Sequence, residues 1–239
     1  MRAAKAPPYW GNSEAKEMRR ELIVTKLFSR NFIGLAATAI LGAMLSVSAA
    51  GAAKSVDLTA DQSARVKEVA NYIQGFRTLQ GEFTQVSSKG NVSKGVFILS
   101  KPGKMRFEYA SPNPFVIVSD GTWVTIKNRA KDKAEEYPLS QTPLRLVLDD
   151  DVNLMKEANI LDVDTKDGLT TITLQDRKKT VPGHLILVYD GDKKALQQWV
   201  VVDGQGRRTT VSLENIVAGG KPDPKLFQIE VRRLKDKKN

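Results

Sequence analysis

Residues 95–123 read GVFILSKPGKMRFEYASPNPFVIVSDGTW. Three apolar, β-branched or aromatic runs, 96–99, 105–109 and 115–118, are separated by Lys-Pro-Gly and Ser-Pro-Asn-Pro, and Asp120-Gly121 ends the third. Runs of that composition punctuated by proline and glycine predict three strands joined by two turns. In the middle run Met105, Phe107 and Tyr109 alternate with Lys104, Arg106 and Glu108, which predicts a sheet with one apolar and one wet face. The apolar face must be buried against something.

The pattern continues on both sides. Upstream, Val66, Val69, Ala70, Ile73 and Phe76 recur at helical spacing, with Arg65, Lys67, Glu68 and Asn71 outward, Asp61 as the expected N-cap and Gly75 beginning the end. From Gly81 the period is two. Downstream, further strands are expected at 123–127, 135–139, 160–164, 169–175, 184–189, 197–202, 208–216 and 227–231. Asp-Gly turns at Asp167-Gly168, Asp190-Gly191 and Asp203-Gly204 separate several of them. The fold expected is mainly β (α+β): an incomplete antiparallel β-barrel or strongly curved sheet of about 11 strands with an N-terminal helix. One segment breaks the pattern. Residues 142–148, TPLRLVL, place Pro143 at a first helical position and Leu144, Val147 and Leu148 on one helical face, ahead of the acidic run 149–151. Such a helix either closes the mouth of a barrel or packs on the sheet.

The N-terminus speaks for export. Residues 32–47, FIGLAATAILGAMLSV, follow Lys26 and Arg30 and precede a run of small residues, the layout of a signal peptide cleaved most simply after Ala52. The alternative is an uncleaved anchor. The charged region before the apolar run is long, and Met18 is an alternative start; Arg19-Arg20 hints at a twin-arginine signal whose surroundings fit poorly. The expected organisation is therefore a removed segment, 1–52, and one domain, 53–239. That domain carries 30 Lys and Arg against 24 Asp and Glu, a net charge of +6. In an exported protein this balance does not point to nucleic acid; attraction to anionic headgroups or to an acidic partner stays open. The basic C-terminal run, 232–238, reads as a solvated tail.

Chemistry has little to work with. The chain has no cysteine, which excludes disulfides, thiolate metal sites, a cysteine nucleophile and a lipid-modified N-terminal cysteine. His184, the single histidine, sits in a strand-like run, GHLILVY, and no G-x-S-x-G elbow is present. Asp149, Asp150 and Asp151 lack the spacing and turn glycine of a calcium loop, and Gly204 and Gly206 form no nucleotide fingerprint. No catalytic residue, metal or cofactor is expected. What remains is an apolar interior to which Phe97, Leu99, Met105, Phe107, Phe115, Ile117 and Trp123 contribute, either as filled core or as the wall of a cavity. Met105 beside Phe107 favours an adaptable surface for flexible chains.

The order strand, Lys-Pro turn, strand, Pro turn, Ser-Asp-Gly-aromatic in 95–123 resembles the periplasmic lipoprotein carriers of the LolA family, and the resemblance extends more weakly from Asp61 to Val231. It implies an apolar cavity in an incomplete barrel, covered by helices, that takes lipoprotein acyl chains. The implied partners are lipoproteins, an inner-membrane ABC transporter that donates them and an outer-membrane acceptor, with the carrier a monomer in the periplasm. In the family a basic residue before the first-turn proline bonds to a lid and holds the empty cavity closed; here that place is Lys101, where many relatives use arginine. The lid would be 142–148, with Leu144, Leu146 and Val147 as cavity contacts, and Met105 and Phe107 at the mouth. Two further readings stand beside this one: a carrier or sensor of free lipids, and an exported hydrolase.

Overall fold

The computed structural model describes residues 55–131, 133–151, 153–177 and 183–229. The expected signal segment, 1–52, lies outside the described residues, as does the C-terminal basic run. Helix α1 (Ala60–Gly75) opens the described chain. Its N-cap is Thr59 rather than Asp61: the Thr59 hydroxyl accepts from the Gln62 amide at 3.2 Å, and Gln62 Oε1 accepts from the Thr59 amide at 3.0 Å. This reciprocal pair satisfies two otherwise orphaned donors and leaves Asp61 in the first turn, where the helix dipole favours a negative charge. Val66, Val69 and Ile73 form the buried face.

Strands β1 (Thr78–Val86), β2 (Val92–Ser100), β3 (Lys104–Tyr109), β4 (Phe115–Asp120), β5 (Trp123–Asn128) and β6 (Lys133–Pro138) follow as consecutive hairpins. After one-turn helices α2 (Arg145–Leu148) and α3 (Leu154–Glu157) come β7 (Ala158–Lys166), β8 (Leu169–Asp176), β9 (His184–Asp190), β10 (Ala195–Val202) and β11 (Arg208–Ala218). All pairings are antiparallel, in the order β6-β5-β4-β3-β2-β1-β11-β10-β9-β8-β7. β6 and β7 are not paired with each other, so the sheet of eleven strands is not closed.

It is nevertheless strongly curled. Phe107 on β3 and Trp199 on β10 are four strand positions apart, about 19 Å in a flat sheet. Their rings meet edge to face at 5.9 Å. Gly95 assists locally: it pairs with Phe83 on one side and Tyr109 on the other, and a Cβ there would lie 2.1 Å from the Glu108 carbonyl oxygen. Without it the Phe83 and Tyr109 rings pack at right angles, 5.1 Å apart.

Two further expectations are corrected. Of the strand expected over 227–231, the described residues 227–229 are not strand. Asp223 Oδ1 accepts from the Lys225 amide at 2.9 Å and starts a 3₁₀ turn (Pro224–Phe227) that packs on β3 and β4, with residues 230–231 outside the described residues. The outer face of those strands is therefore only partly wet: Val116 and Val118 are buried there, and Arg106 Nη1 donates to the Leu226 carbonyl at 3.1 Å. The helix expected over 142–148 is a single turn. Thr142, Pro143 and Leu144 carbonyls accept from the amides three residues on, at 3.2, 3.1 and 2.9 Å, so the approach is a tight i to i+3 winding and Pro143 precedes the helix instead of opening it.

Candidate functional site

The inner face of the sheet is filled on one side and open on the other. Under α1, residues of β8, β9 and β10 such as Ile172, Leu174, Leu185 and Leu187 are fully buried. Over β3–β5 lies a groove of about 430 Å³. That is within the range of ligand pockets, roughly 300–1,000 Å³. Its floor is Met105, Phe107 and Tyr109 of β3, Ile117 of β4, and Val124 and Ile126 of β5. Trp199, Val201 and Val211 form the far wall, and the segment from Gln141 to Leu144 lies over it. The turn between β10 and β11, from Asp203 to Arg207, stands at one end.

At that end the groove runs into a second pocket of about 310 Å³, with which it shares Gln85, Tyr109, Ile117 and Ile126. The added lining is Ser87, Asn91, Ser93, Asn113 and Phe115: neutral hydrogen-bonding groups and one ring. Tyr109 marks the boundary. Its hydroxyl donates to Gln85 Oε1 at 2.7 Å, and burial pushes its pKa up to about 12, so it remains a neutral phenol. The groove thus offers an apolar trough with an uncharged polar continuation, suited to a chain that is hydrocarbon along its length and polar at one end.

Four of the residues expected at the cavity line the groove: Met105, Phe107, Ile117 and Leu144. Phe97, Leu99, Leu146 and Val147 instead pack in the core behind it, with the Phe97 ring stacked on that of Phe107 at 5.7 Å. Phe115 is on the inner face but lines the second pocket and is 38% exposed. Trp123 is on the other face. Val124 and Ile126 point into the groove, so strand alternation turns Trp123 outward, where it is 45% exposed. Val124, Ile126 and Trp199 were not singled out from the sequence. The first two follow from the register of β5; Trp199 reaches the groove only because the sheet curls.

Lys101 is buried, 9% exposed, at the turn between β2 and β3. Its ammonium donates to the Ile73 carbonyl at 2.6 Å and sits 4.6 Å from the centroid of the Phe76 ring. It therefore grips the C-terminal end of α1, where the helix carbonyls favour a cation, rather than the lid. The lid's bond to this turn is made by Gly103, whose amide donates to the Leu148 carbonyl at 2.8 Å. Burial, the largest influence, lowers the Lys101 pKa to about 8, with Asp150 opposing and Arg77 assisting. Arg145 anchors the lid from the other side. Its guanidinium forks onto the buried Asp176, one contact being 2.7 Å, and reaches Glu157 at 3.3 Å. Asp150 of the acidic run pairs with Arg77, and His184 stands at the start of β9, opposite Val202, and lines neither pocket.

Residues 74–230 match the sequence profile of the family described as "Outer membrane lipoprotein carrier protein LolA". An outer-membrane lipoprotein carrier protein of Methylococcus capsulatus is 31% identical over 168 residues, covering 66% of this chain and 79% of that one. One from Alkalilimnicola ehrlichii is 28% identical over 208 residues, covering 83% and 92%. Among solved structures, a LolA superfamily protein from Nitrosomonas europaea aligns with a TM-score of 0.42 at 8% identity, over 70% of this chain and 97% of that chain.

Proposed function

The chain belongs to the LolA family of outer-membrane lipoprotein carriers, and on that premise we propose that it shelters lipoprotein acyl chains in the groove over β3–β5 and carries them across the periplasm. The donor is an inner-membrane ABC transporter and the recipient an outer-membrane acceptor. Residues 1–52 are the export signal in this reading, and 53–239 act as a monomeric carrier. The family is one of carriers and not enzymes, and no bond is made or broken. The observation that carries the proposal is the groove itself: a trough walled by Met105, Phe107, Ile117, Val124, Ile126 and Trp199 on a sheet whose other half is solidly filled.

The driving force is the removal of hydrocarbon from water, about 0.8 kcal/mol per methylene. Ten sheltered methylenes give about 8 kcal/mol, a micromolar affinity. That is tight enough to hold a chain handed over by the donor and weak enough to pass it on to a surface that binds it better. The charges nearest the chain are already answered: Asp203 and Arg207 at the end of the groove pair with each other, and Arg145 of the lid pairs with Asp176.

The test is release of inner-membrane lipoproteins from spheroplasts by the exported protein. Wild type is expected to bring them into solution, and Phe107→Glu, which places a carboxylate on the groove floor, to release none. A protein that co-purifies with phospholipid or fatty acid but releases no lipoprotein would be a carrier of free lipids, and the proposal would fail.

A further inference from the structure

Consecutive antiparallel hairpins place the β1–β2, β3–β4 and β5–β6 turns at one end of the sheet. The β10–β11 turn joins them, because Val86 at the end of β1 pairs with Thr210 near the start of β11. The Arg129 amide donates to the Pro114 carbonyl at 3.0 Å and ties two of these turns together. This is also the end at which the groove opens into the polar pocket.

The rim so formed is basic. Lys89, Arg129, Lys131, Lys133, Arg207 and Arg208 are all exposed on it. Glu108 answers Arg129, and Asp203 answers Arg207. Among the described residues, no carboxylate pairs with Lys89, Lys131, Lys133 or Arg208; Asp132, in the same turn as Lys131, lies outside them. The opposite end is mixed in sign. There Lys101 is buried and both signs are exposed: Asp120 and the run Asp149, Asp150 and Asp151, with Arg77 paired to Asp150, stand at the same end as Lys166, Lys193 and Lys194. Cations without a carboxylate partner thus gather where the groove opens.

Apolar side chains stand among these cations. Val92 is 62% exposed, and Val86, its cross-strand partner at the tip of the first hairpin, is 37% exposed. Phe115, Asn128 and Lys133 form one cross-strand row on the groove face. Val86, Val92 and the partly exposed Phe115 thus put apolar surface beside the lysines. A surface that mixes exposed apolar groups with unanswered cations fits the headgroup region of a bilayer, which offers hydrocarbon just beneath anionic phosphates. An acidic protein surface would satisfy the cations but not Val86 and Val92 at the tip.

We propose that the rim of the β1–β2, β3–β4, β5–β6 and β10–β11 turns docks on anionic lipid headgroups, holding the mouth of the groove at the bilayer surface where donor and acceptor stand, so that the hand-over is made without exposing acyl chains to bulk water. The consequence for cargo rests on the carrier reading above; the docking itself does not.

The experiment is co-sedimentation of the protein recovered from the periplasmic fraction with vesicles of phosphatidylglycerol and phosphatidylcholine, compared with pure phosphatidylcholine. Each cation that reaches an anionic surface raises partitioning about fivefold. The expected result is at least tenfold stronger binding to the anionic vesicles, falling steeply as salt rises from about 0.1 M to about 0.5 M. Lys89→Glu/Lys131→Glu/Lys133→Glu should lose that preference. Val92→Ser, with the charge unchanged, should weaken binding several-fold at either salt. Equal binding to both vesicles, or anionic binding that survives the triple reversal, would overturn the proposal. So would a triple variant that fails in lipoprotein delivery while the wild type ignores vesicles, since the rim would then serve an acidic protein. Vesicle binding without any lipoprotein release would leave the docking standing and sink the carrier reading.

Discussion

The two halves of the inner face are built from the same alternating strands and end in opposite states. Beneath α1, Ile172, Leu174, Leu185 and Leu187 are sealed by Val66, Val69 and Ile73. Over β3–β5 the cover is a single turn of helix and the tight winding before it, and Ile117 and Ile126 are only half-buried. A sixteen-residue helix can lay several turns of apolar side chain onto a sheet; a four-residue one cannot. The vacancy therefore comes from the length of the cover and not from the strands beneath it.

The largest effect is expected where the short cover is held. Arg145→Ala removes the guanidinium forked onto the buried Asp176, and breaking such a pair costs about 3–5 kcal/mol. Urea denaturation should show that loss. A mild effect would mean that the lid is fastened by Gly103 and its apolar contacts, and that the ion pair is dispensable. Next in size is a direct contrast between the halves. Ile172→Ala should cost about 2–5 kcal/mol by opening a cavity in the filled side. Ile126→Ala, on the groove floor, should cost about 1 kcal/mol or less while reducing lipoprotein release. Equal penalties would mean that the groove is packed in solution as tightly as the core.

A third difference concerns pH. Lys101 has its pKa lowered to about 8 against an ordinary value near 10.5, so between those limits the unfolded chain binds more protons and stability rises with pH. Relative to Lys101→Met, the wild type should gain on the order of 1–3 kcal/mol between pH 8 and 10.5, and no more beyond it. Titration of the Lys101 side chain by NMR gives the midpoint directly. A midpoint near 10.5 would mean that the Ile73 carbonyl and the Phe76 ring fully offset the burial.

Much of this architecture is visible in the sequence because it depends on short-range rules. Alternation in 105–109 and the turn residues around it specify β3 and its neighbours, and helical spacing from Val66 to Ile73 specifies α1. What escapes is whatever requires knowing how the sheet bends. Trp199 meets Phe107 across four strand positions, and no spacing in the chain announces it. Arg145 and Asp176 are 31 residues apart and become partners only once the lid crosses the inner face. Phe227 has the composition of a strand residue, but Asp223 and Pro224 wind it into a 3₁₀ turn that buries it on the outer face instead. Trp123 was legible and was misplaced: its neighbour Val124 shares the groove face, so size pointed one way and alternation the other.

That last pair gives the smallest effect and a clean one. Residues 53–239 contain two tryptophans, Trp123 outside and Trp199 on the groove wall. In a Trp123→Phe variant the remaining indole should shift its emission when a fatty acyl probe enters the groove, with stability within about 0.5 kcal/mol of wild type because the replaced ring is at the surface. In Trp199→Phe the remaining indole should not respond. A response from Trp123 alone would place the chain on the outer face of β5, and the open half of the inner face would then need another explanation than cargo.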